Sequence, residues 1–283
     1  MKYCKKFIFL FSFIISHFNF FSQTFGNEWI NYTQKYFHFP ISNTGLHRLD
    51  FNVLNNYLTN YGINIDAIPH DNFQVFGKEN EISILINDQN NNGFLDQQDY
   101  IEFYAEKNNG WLDSLVYDST RYLPDEYYSL FNDTIRYYFS WNSNGNNKRT
   151  LIETDTNFNN YSPINYCWRN EILKFNSNYL VGNQQDGLSS PKYDIGEGWA
   201  GTRLSKNGSN IEQLNSLNSY NSGPNGFGKI NLISANSSTF NLNGKNHNTK
   251  LFVNNNLIID TNYAYYQVLH IDYEIPSSTI LSV

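Results

Sequence analysis

The sequence contains very little cysteine, and this scarcity excludes one class of exported protein. Only two of the 283 residues are cysteine. Cys4 lies in an N-terminal segment that is expected to be removed, which leaves Cys167 alone, so no intramolecular disulfide can form. The chain is therefore not a small secreted domain held by disulfides. Its stability must come from an ordinary hydrophobic core.

Basic residues are also scarce. The chain has 19 Lys and Arg against 26 Asp and Glu, and removal of the three N-terminal lysines leaves 16 against 26, a net charge of −10. Affinity for phosphate backbones depends on clustered Lys and Arg. We therefore expect no nucleic-acid partner, whereas neutral polymers, cations and proteins remain possible partners.

Long hydrophobic runs are absent except at the N-terminus. There a positive stretch leads into a mostly apolar run with a small polar exit: Lys2, Lys5 and Lys6, then residues 7–21, then Ser22-Gln23. This pattern is typical of a signal peptide, which we assign to residues 1–23. The run is too short and too interrupted to span a membrane. We expect an exported protein of the periplasm, outer-membrane surface or extracellular space, without a transmembrane helix in the mature chain.

Aromatic residues are abundant and predict a mainly β fold. The 22 Tyr and 22 Phe, with only 16% charged residues, are typical of strands packed with aromatic side chains. Helical spacing appears once, at residues 51–61, after an N-cap-like Asp50 and before Gly62. We predict two antiparallel, sandwich-like β-rich regions with this one short helix.

A polar stretch at residues 142–149 is the best candidate for a linker between the two regions. It divides the mature chain into an N-terminal β-rich accessory domain at 24–150 and a β-sandwich at 151–283. The sequence ends on an apolar run, residues 280–283, without a turn or polar tail. We therefore expect the C-terminal sandwich to be truncated and the chain to be a fragment.

The stretch from Asp88 to Asp99 has the spacing of a calcium-binding loop. Oxygen-bearing side chains fall at loop positions 1, 3, 5, 9 and 12, and Gly93 at position 6 permits a sharp turn. Position 7 supplies a backbone carbonyl. The candidate ligands for a structural Ca²⁺ are Asp88, Asn90, Asn92, Phe94, Asp96 and Asp99.

Two features of this loop favour a simpler interpretation. Position 12 is Asp99 rather than the longer Glu that closes such a site with both oxygens. The preceding residues, 81–86, have the pattern of a strand and not that of the entering helix of an EF-hand. A polar hairpin loop in an Asn-rich chain is the alternative.

A second unusual stretch, residues 194–201, places three glycines around Glu197 and Trp199. An acid beside an exposed Trp could bind a sugar by stacking and hydrogen bonding. Equally, Trp199 could fill the interior while Glu197 caps backbone amides. No second carboxylate in a comparable setting indicates a glycosidase pair.

Cys167 is the only candidate nucleophile, and no motif supports that role. Its neighbours read as a strand, whereas a catalytic cysteine is normally held at a strained turn or a helix start. We expect a buried structural thiol. The histidines show no metal-binding spacing, so we expect each to be a surface or core residue.

A series of segments, in the same order along the chain, resembles the front part of gingipain-type cysteine peptidases, specifically the sortase-like members linked to type IX secretion. One of them departs from the family's pattern, since His47 stands where a Tyr is usual. The segment ending in Gly196-Glu197-Gly198-Trp199 resembles a family signature. The segments are 27–32, 36–39, 44–49, 99–104, 128–134, 138–141, 194–199, 247–260 and 275–276.

The resemblance implies a non-catalytic N-terminal region of an exported cysteine peptidase or sortase. In that family the catalytic His and Cys lie further on, in a caspase-like domain that no segment here matches, so no catalytic residue is carried over. The implied partners are the chain's own downstream protease domain and components of type IX secretion. The implied task is to pack on that domain or to hold it at the cell surface. The alternative is a stand-alone secreted β-sandwich that binds glycan or a surface protein.

Overall fold

A computed structural model describes most of the chain and divides it into two units. The described residues are 26–143, 146–182, 192–214, 218–234, 247–263 and 266–280. The first unit contains residues 26–39, 46–104 and 136–150, and the second contains residues 40–45, 105–135 and those from 151 onward. The second unit includes residues 40–45 and 105–135, and the predicted division into continuous domains at residue 150 stays a prediction. The predicted signal peptide lies outside the described residues.

The described residues of the first unit form two sheets and one α-helix. A few residues at the ends of these strands belong to the second unit. One sheet has the order β1-β7-β3-β4 and the other has the order β2-β6-β5. The elements are β1 Phe37–Ile41, β2 Gly45–Asp50, α1 Phe51–Thr59, β3 Phe73–Gly77, β4 Asn80–Ile82, β5 Ile84–Asn87, β6 Tyr100–Ala105 and β7 Ile135–Trp141.

Helix α1 forms where the sequence predicts it. Phe51, Leu54 and Leu58 are buried at helical spacing, so the helix packs one apolar face on the unit. Asp50 occupies the N-cap position but makes no capping hydrogen bond. Its carboxylate instead pairs with the Arg48 guanidinium at 2.7 Å.

Aromatic rings form much of the core of the first unit. The Phe73 and Phe139 rings lie 5.2 Å apart between β3 and β7 and are among its largest fully buried side chains. At the end of β3, the Tyr137 ring lies against Gly77, where a Cβ atom would come within 2.1 Å of the ring. Glycine is therefore required at this position for the ring to lie flat on the strand.

The strand predicted over residues 81–86 is two strands that belong to different sheets. Strand β4 pairs with β3, and Val75 lies opposite Ile82. After Ser83 the chain continues as β5, which pairs with β6 in the other sheet, where Ile84 lies opposite Phe103. The break allows one apolar stretch to serve both sheets.

The described residues of the second unit form three two-stranded antiparallel sheets, β8-β9, β10-β13 and β11-β12. The β11-β12 pair is joined by a tight turn at Asn254 and Asn255, whose φ angles of 46° and 66° suit a hairpin connection. The strands are β8 Asn178–Leu180, β9 Gly198–Ala200, β10 Gly226–Ser234, β11 His247–Val253, β12 Asn256–Tyr263 and β13 Gln267–Ile275.

The mainly β fold with several antiparallel sheets is confirmed. The sequence around Cys167 reads as a strand over residues 166–173, and this prediction is wrong, because these residues form neither strand nor helix. The sequence also predicts a strand at residues 239–242, which lie outside the described residues. Across the described ranges, no helix has the length and apolar character that crossing a membrane requires.

The predicted linker at residues 142–149 is fixed to the first unit at its C-terminal end. The Arg149 guanidinium donates hydrogen bonds to the backbone carbonyls of Phe73 at 3.1 Å, His70 at 3.1 Å and Asp71 at 2.7 Å. Three carbonyls on one guanidinium hold the chain firmly. This end of the stretch is therefore part of the domain and not a free connection.

Candidate functional site

The Asp88–Asp99 loop connects β5 to β6 as a hairpin. Asn87 and Tyr100 are the last strand pair before the loop, and the Asn87 amide donates a hydrogen bond to the Tyr100 hydroxyl at 2.9 Å. Within the loop, Leu95 is fully buried in the core. The loop is thus anchored both at its base and through an apolar side chain in its second half.

Asp88 organises the first half of the loop. Its Oδ2 accepts the Gly93 N–H at 2.8 Å, and its Oδ1 accepts the Asn92 N–H at 3.3 Å. His70 Nε2 lies 3.2 Å from Oδ2. The hydrogen bond from Gly93 is the largest cause that holds the pKa of Asp88 below its usual value. Gly93 adopts a φ of +82°, which meets the expectation of a sharp turn at loop position 6.

Asn90 and Asn92 both donate hydrogen bonds to one carboxylate oxygen of Asp96. The side-chain amides of Asn90 and Asn92 donate to Asp96 Oδ2 at 2.6 and 3.0 Å. Their amide oxygens accept backbone N–H groups, that of Asn92 at 3.1 Å and that of Phe94 at 2.8 Å. The loop therefore folds around its own polar side chains.

Asp99 closes the loop from inside. Its side chain is 1% exposed, and its two oxygens accept the backbone N–H groups of Gln89 and Asp96, each at 2.9 Å. Its backbone carbonyl accepts the N–H of Phe51, the first residue of α1. Asp99 thus links both ends of the loop to each other and to the helix.

The donor chemistry of this loop fits a hard cation such as calcium. The six predicted ligands lie in this one loop and offer carboxylate, amide and carbonyl oxygens. Several of their side-chain oxygens already accept N–H groups, and Asp96 Oδ2 accepts two, so a bound cation would have to replace some of these hydrogen bonds. Within the described ranges, no group of three or more His, Cys, Asp or Glu side chains is arranged to hold a metal ion. The calcium site stays a prediction.

Glu197 lies in a turn of the second unit, and its polar groups contact other residues of that unit. Its Oε2 accepts the Asp194 N–H at 3.1 Å, and its backbone carbonyl accepts the Tyr117 hydroxyl. The Tyr179 hydroxyl lies 3.5 Å from Oε1. Burial raises the pKa of Tyr117, and burial followed by the charge of Glu197 raises that of Tyr179 to about 12. Both phenols therefore stay neutral donors beside the carboxylate.

Trp199 lies on β9 and is partly buried. Its indole N–H donates to the Ser129 carbonyl at 2.9 Å, and its ring meets the Tyr179 ring nearly edge-on at 5.2 Å. Gly198, just before it, has a φ of +136°, and a Cβ there would lie 2.9 Å from Pro124. The turn, the ring and the indole N–H are all engaged within the unit.

Cys167 does not lie where the sequence predicts. It is exposed, and its segment is not a strand, so the expectation of a buried structural thiol is wrong. The neighbouring residues read as a strand, but tertiary pairing decides whether a strand forms.

Two residues that the sequence did not indicate support these sites. His70 contacts Asp88 from 18 residues away, and no local motif marks that pair. The Asp113 carboxylate, buried in the second unit, accepts the Leu130 N–H at 2.6 Å and the Ser129 hydroxyl at 3.1 Å. It thereby positions the carbonyl that receives Trp199. An Asp just after an apolar Trp-Leu pair is too common a pattern to predict this.

Comparisons of the chain with protein-family models, with curated proteins and with solved structures find no match. Its function must therefore be argued from its own residues and their geometry.

Proposed function

We propose that this chain is the non-catalytic N-terminal region of an exported cysteine peptidase or sortase linked to type IX secretion. Its task is to pack on the protease domain that follows it, or to position that domain at the cell surface. On this proposal the described residues carry no catalytic role, and the parent protein is a gingipain-type cysteine endopeptidase. Components of the type IX secretion system are its further partners.

One observation carries the proposal: the polar groups of the Gly196–Trp199 turn make hydrogen bonds within the fold. Glu197 accepts a backbone N–H of its own turn, and Trp199 donates to the Ser129 carbonyl. The Glu197 carboxylate and the Trp199 indole are the groups that would have to be exposed to bind a ligand. A segment that resembles a family signature and serves to fix the fold is expected in an accessory region.

The glycan-binding alternative is less well supported by the same geometry. A sugar at Glu197 and Trp199 needs a free carboxylate and an open ring face. Here the Trp199 indole N–H is already bonded and Tyr179 lies against the ring. A ligand would have to replace these contacts, and each replaced hydrogen bond reduces the net gain from binding.

For the Asp88–Asp99 loop we propose a structural role. A calcium ion held by its oxygens would fix the β5-β6 hairpin and restrict its fluctuations. Three carboxylates in one short loop repel one another, and a divalent cation relieves that repulsion. Asp99 ties the loop to α1, so the gain in stability would reach the first unit as a whole.

The proposal is tested on the gene and on the exported protein. We expect the coding sequence to continue past Val283 into a domain of alternating helices and strands with a His followed by a Cys. We expect an active-site thiol probe to label that domain and to do so equally in the Cys167→Ser variant. A stop codon directly after Val283 would refute the proposal, and so would labelling that disappears in Cys167→Ser.

A glycan array decides the alternative. Trp199→Phe keeps an aromatic ring and removes the indole N–H. Glu197→Gln keeps the shape of the side chain and removes its charge. We expect the native chain to bind no glycan and both variants to lose thermal stability. Glycan binding by the native chain that either variant abolishes would favour the alternative.

A further inference from the structure

Four exposed aromatic residues form a continuous row on the second unit, which we call the aromatic strip. The Tyr166 ring lies 6.0 Å from the Tyr220 ring and 6.1 Å from the Trp168 ring, and the Trp168 ring lies 6.0 Å from the Phe227 ring. The side chains are 46% exposed at Tyr220, 44% at Tyr166, 59% at Trp168 and 74% at Phe227. The rings touch one another and still face solvent.

Two residues of the strip, Tyr166 and Trp168, lie in a segment whose sequence reads as a strand without forming one. Residues 166–173 have no regular secondary structure. Exposed apolar side chains also occur close to Tyr166 and Trp168 in the sequence, at Ile164 and Ile172. Contiguous apolar surface of this kind marks an interaction site more often than a free surface in a soluble protein.

Polar groups next to the strip have the character of an interface rim. Arg169 and Glu171 form an exposed ion pair at 3.3 Å, directly after Trp168 in the chain. Trp, Tyr and Arg are the residues that most often dominate binding energy in protein interfaces, and a polar rim usually surrounds them. The composition of the patch therefore favours a protein partner.

The last described residue, Ile280, lies beside the strip. The Ser219 hydroxyl donates to the Ile280 carbonyl at 3.3 Å, and a Cβ on Gly226 would lie 3.2 Å from the Ile280 side chain. Ser219 and Gly226 are the sequence neighbours of the strip residues Tyr220 and Phe227. The chain therefore reaches residue 280 next to the strip.

The approach of the chain to this point is held by hydrogen bonds. The Asn225 side chain accepts the Ser277 N–H at 3.1 Å, and the Ser277 hydroxyl donates to the Asn221 carbonyl at 3.1 Å. Both partners lie in the stretch between Tyr220 and Phe227. Because this stretch carries two strip residues, the strip and the path of the chain are fixed to each other.

We propose that the aromatic strip is the docking surface for the protease domain. This inference rests on the proposed function, in which that domain follows residue 283. A domain tethered beside the strip meets it at a high effective concentration, so a modest interface is enough to keep the two parts together. Trp168 and Phe227, the most exposed rings, are the anchors of the interface.

A glycan and a second copy of the chain are the competing occupants. A glycan chain stacks best on rings that share one plane, whereas the Trp168 ring is turned by 89° from that of Tyr166. Ile164 and Ile172 add aliphatic surface that a sugar does not use. A second copy gains nothing from the position of Ile280, since it is not tethered there.

The test uses the full-length protein with a site for a sequence-specific protease introduced after Val283. After cleavage we expect the two parts to co-elute in size-exclusion chromatography. The Trp168→Ala/Phe227→Ala variant should weaken their association by at least about 30-fold, as loss of an interface hot spot does. Phe158→Ala removes an exposed ring of the second unit that lies outside the strip, and it should leave the association unchanged.

Unchanged melting curves of the separated N-terminal part will show that the variants fold, as expected for exposed positions. Separation of the native parts on cleavage would overturn the inference, and so would co-elution that the double variant does not disturb. Dimers of the cleaved N-terminal part that require Trp168, or glycan binding that requires it, would also overturn it. A gene that ends at Val283 would instead refute the proposed function itself, so the two failures are distinguishable.

Discussion

Asp99 accepts the backbone N–H of Gln89 at 2.9 Å, and this hydrogen bond joins the two ends of the loop between β5 and β6. The second oxygen of the same carboxylate holds the N–H of Asp96. The carboxylate is buried, so its loss would leave both N–H groups facing the space that it filled. Asp99 is therefore expected to contribute strongly to loop closure, with or without a bound cation.

We expect Asp99→Ala to destabilise the first unit by about 3 kcal/mol, since it leaves two backbone N–H groups without their acceptor. Denaturant unfolding followed by aromatic fluorescence measures this change. Asp66→Ala, at an exposed position outside the loop, should change stability by less than about 0.5 kcal/mol. A loss at Asp99 no larger than that at Asp66 would show that the loop closes without this carboxylate.

Calcium should stabilise the same loop. If the ion binds with the millimolar affinity of extracellular modules, about 10 mM calcium should raise the melting temperature by about 3 °C relative to chelator. Magnesium should do less, because it gives up its waters reluctantly and prefers a stricter geometry. Differential scanning calorimetry measures the shift.

Asp96→Asn provides the variant for this experiment. It removes the charge on which the Asn90 and Asn92 amides converge, so the calcium shift should shrink or vanish. Asp66→Asn changes net charge equally and should keep the whole shift. An identical melting temperature in calcium and in chelator would reject the calcium site.

Asp88 should make the stability of the first unit depend on pH in the acid range. Its pKa is lowered in the folded state from an ordinary value of 3.8, above all by the Gly93 N–H. A carboxyl with a lowered pKa contributes stability that is fully present above 3.8 and is lost as the pH falls through the folded value. The hydrogen bond between His70 and this carboxylate also lowers the pKa of Asp88.

We therefore expect the gap in melting temperature between the native chain and Asp88→Asn to be constant near pH 6 and to close below about pH 4. Melting scans from pH 2 to 6 measure this, and Asp66→Asn should show no such closing gap. A gap that widens towards low pH would contradict the assignment of the lowered pKa to Asp88.

The sequence predicted elements that alternate or repeat within a few residues. Helix α1 lies where the spacing of its apolar residues predicts it, because the residues that form its buried face recur within a few positions of the sequence. The segment at 166–173 also reads as a strand in the sequence and forms none. The pattern of apolar residues indicates which face of a strand would be buried. The strand itself forms only where a partner strand pairs with it.

The candidate sites divide in the same way. The spacing of the Asp88–Asp99 loop was visible because its polar side chains bond to each other within 12 residues. The role of Asp113 was not, since it acts on Ser129 and through it on Trp199, 86 residues further on. Such contacts join residues that are far apart in the sequence, so they cannot be predicted from a local pattern.

Gly77 and Tyr137 provide a last prediction, on the core of the first unit. A Cβ at residue 77 would lie 2.1 Å from Tyr137 Cε1, so Gly77→Ala must displace a buried ring. Forcing a methyl group into a packed core costs roughly 1–3 kcal/mol, and the displaced ring places the cost here at about 3 kcal/mol.

The Tyr137→Leu background tests the cause of this loss. If the ring is the obstacle, Gly77→Ala should cost at least about 1 kcal/mol less there, because neighbouring substitutions are coupled. Gly62→Ala is the matched control, since that position is open but has a φ of +70°, and its cost should be the same in both backgrounds. Equal costs of Gly77→Ala in the two backgrounds would show that backbone conformation, not the Tyr137 ring, requires glycine at residue 77.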